Sequence, residues 1–349
     1  PANQLSRAKE QLRALSSLRN DITYRYCIRD GEIEQSPSLC VTHLVPQSSR
    51  PYPETQRYPG IASRKWRFTT QSKPSDSPLD LTTSHLSPTM LHDQAHCPFM
   101  AFAYHRLGCR PQTHTLGLAR WQRGQLVHWL LEQFWRIIHN SDALARLSLS
   151  ERDCIINDLI ECAFSQPQHY PMDPISTAQE RGLKSTLMTQ MSQWLDLEKQ
   201  RPPFAVIELE SSCEFHWQAH RIVGRIDRID QLECGTKILI DYKTGSISTN
   251  EWLHHPLLAP QLPLYALARP DISAIALAKI SPNDCQIKGI GQSDHRIDGM
   301  QSIQSSKTLA SMGINQWSDL KQFWRTSIHE LIQSYQNHTR LLTPNSVNT

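Results

Sequence analysis

The chain has 349 residues, 39% hydrophobic and 20% charged, with a formal net charge of +3. This composition excludes a disordered or collagen-like chain and fits one large domain with an appendage, or two domains. No apolar run reaches the roughly 18–20 residues of a membrane span and no signal-peptide pattern opens the chain, so a cytoplasmic protein with no membrane partner is expected.

Nine cysteines without a C-x-x-C pair argue against a disulfide framework or a zinc ribbon. Residues 1–70 carry eleven Lys/Arg against six Asp/Glu, so the rest is slightly acidic and any nucleic-acid contact there must be a local groove. A start at Pro1 without methionine, together with a polar tail, suggests a piece of a longer chain.

Residues 1–88 hold a short basic amphipathic stretch at 4–20, a strand pattern at 21–29 and a long run rich in Ser, Pro and Thr. That run reads as linker, because such a composition buries little apolar surface. From Ser87 helical periodicity takes over, at 87–108, 118–140, 150–166 and 175–201. Strand patterns follow at 204–217, 220–230 and 237–245, with a turn at Cys234-Gly235. A short helix at 260–268, strand patterns at 272–281 and 286–293, and a closing helix at 317–338 complete the reading. The order predicts an α/β or α+β core with a mixed sheet.

Alternate residues of a strand share a face, so Asp241 and Lys243 of "KILIDYKTG" project together where a buried strand emerges. On the preceding strand Asp227 and Asp230 have opposite parity, and periodicity alone does not choose which of them joins Asp241. Two carboxylates converging from adjacent strands form a hard-oxygen site suited to Mg²⁺ or Mn²⁺. A lysine beside them can hold the attacking water and offset charge in the transition state, which points to phosphodiester hydrolysis. A D-x-K triplet also arises by chance. Asp319 to Lys321 is a second instance, inside a helical pattern where residues two apart diverge.

With "GRIDRID" ahead of "DYKTG", the chain resembles the RecB-type branch of the PD-(D/E)XK nucleases. Other segments match that branch in the same order: the Cys-Pro-Phe opening at Cys97, "RGQLVHWLLEQFW", "WLDLEKQRPPFAVIELE" leading into the first core strand, and "PQLPLYALA". The resemblance implies a restriction-endonuclease-like core, a mixed central sheet flanked by helices with a large helical insertion, spanning residues 89–349. It also implies that residues 1–88 are the tail of a preceding helicase-like region, as in AddB-like and "probable DNA repair" proteins.

Carried over residue by residue, it makes Asp227 and Asp241 the metal carboxylates and Lys243 the catalytic lysine. His128 becomes a metal ligand, and Glu208 or Glu210 a helper from the first strand. Gln261 and Tyr265, spaced i, i+4 on one helix face, become catalytic residues. Together with Arg225 and Arg228 they are also the expected DNA contacts.

Many relatives use the cysteine of Cys-Pro-Phe plus three C-terminal cysteines to hold an iron–sulphur cluster. Here Cys97 stands at the first position and no cysteine follows Cys285, so a cluster requires ligands beyond Thr349. The implied activity is a Mg²⁺- or Mn²⁺-dependent exonuclease that processes DNA ends in recombinational repair, with a helicase or ATPase subunit as partner. The competing readings are a catalytically silent DNA-binding scaffold of a helicase–nuclease complex and a structure-specific endonuclease on the same core.

Overall fold

Helical periodicity runs from Ser87 to Gly108, yet the structure divides it into α1 (Pro88–His96) and α2 (Pro98–His105). Pro98 has no amide with which to continue the helix. It also drives the residue before it into extended backbone, and Cys97 sits at φ −153°, ψ 102°. The computed structural model describes residues 86–109, 119–165, 176–218 and 220–336, plus the backbone of 29–30 and 33–34.

The chain divides into two units, Pro1–Pro74 and Ser75–Thr349. In the first, Arg29–Asp30 pairs antiparallel with Ile33–Glu34. The amphipathic stretch at 4–20, most of the strand expected at 21–29 and nearly all of the Ser/Pro-rich run lie outside the described residues.

In the second unit, α3 (Arg120–Ile138), α4 (Ser141–Arg146), α5 (Leu149–Ser165) and α6 (Thr177–Glu198) precede the sheet. Ser176 and Gln179 cap α6 reciprocally, side chain to backbone in both directions, which fixes where that helix begins. Six strands then stand side by side in chain order: β1 (Phe204–Trp217), β2 (His220–Leu232), β3 (Lys237–Lys243), β4 (Ile272–Lys279), β5 (Gln286–Gly291) and β6 (Met300–Ser302).

The pairs β1/β2, β2/β3 and β4/β5 are antiparallel, whereas β3/β4 and β5/β6 are parallel. Parallel neighbours need a crossover, and α7 (Gln261–Ala268) lies within the one joining β3 to β4. The short α8 (Lys307–Ser311) and the long α9 (Trp317–Gln336) close the chain.

Both faces of the central strands are covered, which is why "ILI" reads as continuous apolar sequence. Leu239, Ile275 and Leu277 pack on one face with α1, α7 and α9. Ile238, Ile240, Tyr242 and the small side chains Ala274, Ala276 and Ala278 pack on the other with α3, α5 and α6. Two indoles pin α9: Trp317 Nε1 donates to Ile272 O and Trp324 Nε1 to Trp252 O, each at 2.9 Å.

The mixed central sheet flanked by helices that the resemblance implies is present, with six strands. Among the described residues no helix is long and apolar enough to cross a membrane.

Candidate active site

The ladder between β2 and β3 runs from Gln231↔Lys237 to Arg228↔Ile240. Carried one step further, that register sets Asp227 opposite Asp241, on one face of the sheet. The next backbone amide is taken by a side chain: Tyr242 N donates to Asp227 Oδ2 at 2.8 Å. The sheet thus ends in a carboxylate held rigid by the neighbouring strand. Asp230 lies on the opposite face with Arg228 and Tyr242.

Asp241 is buried and held on both oxygens. Gln261 Nε2 donates to its Oδ1 at 2.9 Å, and Lys243 Nζ lies 2.7 Å from its Oδ2. The lysine contact is an ion pair by distance, while Oδ2 has no hydrogen bond of good geometry. Burial and the nearby Asp227 push Asp241 up to about 6, and Lys243 works against them. Burial pulls the Lys243 ammonium down, but Asp241 outweighs it and leaves the lysine above its ordinary value. Lys243 is therefore a cation at neutral pH, suited to stabilising negative charge rather than to abstracting a proton.

From α3, His128 Nε2 lies 2.9 Å from Tyr242 O, and its Nδ1 lies 3.4 Å from Asp227 Oδ2. A carbonyl only accepts, so Nε2 carries the proton and Nδ1 faces the carboxylates. A metal-binding imidazole has this arrangement, with its outer N–H fixed by a backbone carbonyl. Burial opposes charge on the ring, yet Asp227 outweighs it and holds the His128 pKa above the ordinary range.

The third member is Glu210. The sequence left Glu208 and Glu210 undecided, since both have the same strand parity. A positive φ of 47° at Glu210 separates them. Glu208 turns to the Arg269 guanidinium, with Arg269 Nη1 donating to its Oε2 at 2.8 Å. Glu210 turns into the site, its Oε2 2.6 Å from Arg225 Nε. That contact too is an ion pair without hydrogen-bond geometry.

One ligand atom each from His128, Glu210 and Asp227 lies within 4.8 Å of the others. Such a span is close to that across a hard cation bound at about 2.0–2.6 Å. Buried carboxylate oxygens without good donors, beside an imidazole nitrogen turned inward, fit a divalent cation. His128, Glu210 and Asp227 are the residues that would hold it, with Asp241 beside them.

Burial and Asp227 raise Glu210 to about 7. An acid whose folded pKa is raised contributes stability that is present below its unfolded value and lost as pH rises through the folded one. Without metal, the protein is therefore expected to lose thermal stability between about pH 4.5 and 7, the window of the Glu210 shift. Glu210→Gln is expected to flatten that loss and to melt higher than wild type at pH 8. Melting curves across pH in EDTA check this, and an unchanged slope in the variant would disprove it.

Two cavities flank Lys243. One, of about 500 Å³, is lined by His128, Glu210, Arg225 and Lys243 with the start of α3. The other, of about 280 Å³, is lined by Asp241, Lys243 and Gln261 with His92 and Glu251. The sequence singled out neither His92 nor Glu251, because neither lies in a motif with readable spacing.

Two expected DNA contacts fall elsewhere. Arg228 is fully buried on the far face, between Glu198 and Asp230, and does not reach a DNA surface. Tyr265 is 3% exposed, and its hydroxyl accepts from Arg225 N at 3.2 Å. Its ring presses on Gly224, where an added Cβ would lie 2.4 Å from the hydroxyl oxygen. Tyr265 thus braces the strand carrying Arg225 and Asp227 instead of touching DNA, and Gly224 is the residue that admits it. Arg225 does keep an exposed side chain. Cys97 caps α2, and the one ligand cluster among the described residues does not include it.

The family description "PD-(D/E)XK nuclease superfamily" matches residues 85–342, and the chain belongs to that superfamily. Membership implies metal-dependent hydrolysis of phosphodiester bonds. A search of curated proteins gave no match. A solved structure titled "Crystal structure of SSO0001" is 13% identical over 74% of this chain and 88% of its own. Its TM-score is 0.23, so it adds nothing to the assignment.

Proposed function

We propose that the protein is a Mg²⁺- or Mn²⁺-dependent deoxyribonuclease, an exonuclease that processes DNA ends in recombinational repair beside a helicase or ATPase partner. The observation that carries the nuclease reading is the convergence of Asp227, Asp241, His128 and Glu210 around one corner of the sheet, with Lys243 between two cavities. The ordered RecB-type motifs support end processing.

In the hydrolysis, the oxygen of a water forms a bond to phosphorus, a bridging P–O bond breaks, and the water's protons pass to solvent and the leaving oxygen. A bound divalent cation would supply Lewis acidity at the phosphate and a more acidic water. Lys243 places its ammonium where charge develops on the phosphate oxygens. Gln261 holds Asp241 in orientation, and the Tyr242 amide holds Asp227.

Linear and covalently closed circular DNA, each single- and double-stranded, incubated with full-length chain and Mg²⁺ or Mn²⁺, test this reading. Linear molecules are expected to be degraded and closed circles left intact. Circles cut as fast as linear DNA would make it an endonuclease. DNA and metal bound without cleavage would make it a scaffold.

A further inference from the structure

Trp121 is 61% exposed, although an indole is the side chain that gains most from burial. Isolated exposed apolar residues need no explanation, and Ile137, Leu149 and Met312 on this surface receive none. Trp121 differs because it lines the 500 Å³ cavity that also contains His128, Glu210 and Lys243. It stands seven residues before His128 on α3, two turns along the same face and about 10 Å away along the axis.

Between the two rings lies Gly124, where even an added Cβ would meet only Thr244 Oγ1, at 3.7 Å. The wall from indole to imidazole therefore carries no side chain at Gly124, and Gln125 beside it lines the same cavity. Arg120, beside the indole, is exposed and forms no ion pair among the described residues. Arg225 faces the same cavity.

We infer that Trp121 is a stacking platform for an unpaired nucleobase next to the scissile phosphate, with Arg120 and Arg225 on the flanking backbone, and that the site therefore takes single-stranded DNA. The inference rests on the nuclease reading above. An aromatic face beside cations is the arrangement that binds single strands without sequence preference. Bases inside a duplex are stacked on both faces and offer none to an indole. The span from Trp121 to His128 reaches a base adjacent to the reacting phosphate and not the phosphate itself.

The test measures binding of a mixed-sequence single-stranded oligonucleotide in EDTA and in Ca²⁺, and cleavage in Mg²⁺, by full-length wild type, Trp121→Ala and Trp121→Phe. Trp121→Ala is expected to weaken single-strand binding by about tenfold or more, and Trp121→Phe to recover most of it. A single abasic site, scanned along the strand, is expected to weaken wild type at one position and to add little to the loss in Trp121→Ala. The ratio of kcat/KM for single strands over duplex falls in the alanine variant.

Equal losses on blunt duplex and single strand, or no loss on either, overturn the inference while wild-type cleavage leaves the nuclease reading standing. Binding with the expected abasic pattern but no cleavage by wild type overturns the nuclease reading and leaves the platform. If wild type neither binds nor cleaves, both fall.

Discussion

Lys243→Ala is expected to lower single-turnover cleavage of linear DNA by about a hundred- to a thousandfold while leaving DNA binding within a few-fold of wild type, the usual cost of removing one preorganised donor to a developing oxyanion. Lys243 is the residue shared by both cavities, so its ammonium reaches a phosphate lying across them from either side. The substitution acts a second time through Asp241. That carboxylate is raised to about 6 by burial and Asp227, and Lys243 is the leading influence holding it down.

Without the ammonium, Asp241 takes up a proton more readily, and the acid limb of the pH–rate profile should move to higher pH. Cleavage and fluorescence anisotropy measured on the same protein separate the outcomes. Unchanged cleavage would remove Lys243 from the chemistry, and parallel loss of binding and cleavage would make it a DNA anchor. A protein with no cleavage before or after substitution would be a scaffold.

The elements whose signal is local were legible in the sequence. Strands β1 to β3 and helices α3, α6 and α7 fall where periodicity places them. The facing of Asp241 and Lys243 follows from strand alternation alone. What the sequence could not supply is long-range. Periodicity left Asp227 and Asp230 open and the resemblance chose Asp227; the physical ground, the β2/β3 register and the Tyr242 amide that set Asp227 beside Asp241, is long-range. Glu210 is selected over Glu208 by one positive φ, which has no composition signature.

Tyr265 shares a helix face with Gln261, as spacing predicts, but whether that face meets DNA or a strand depends on Gly224, which leaves room for the ring. Pro98 was readable as a helix break and outweighs the periodicity around it. Arg228 shows the limit of reading charge as surface. Arginine is rarely buried unless paired, and its partner Glu198 comes from α6, 30 residues earlier in the chain.

Arg228→Met is expected to destabilise the protein strongly without removing a DNA contact. Arg228 and Arg201 face Glu198 and Asp230 in a cluster in which no member is more than 8% exposed, two positive charges against two negative. Arg228 Nη1 donates to Glu198 Oε1 at 2.7 Å and to Tyr242 OH at 3.1 Å, and its Nη2 donates to Asp230 Oδ2 at 2.8 Å. Its guanidinium also lies 4.2 Å from the centre of the Trp135 ring. Methionine fills a similar volume but leaves two buried carboxylates sharing one arginine.

Removing one partner from such a cluster costs about 3–5 kcal/mol, because the remaining charge is uncompensated in the interior. At about 2–4 °C per kcal/mol for a domain of this size class, the melting temperature should fall by roughly 6–20 °C. Arg228→Met combined with Glu198→Gln restores neutrality, leaving Arg201 with Asp230, and should recover part of the loss. DNA affinity, measured well below the melting point, should match wild type. A variant that melts like wild type but binds DNA poorly would place this guanidinium on the DNA and contradict the packing around Trp135.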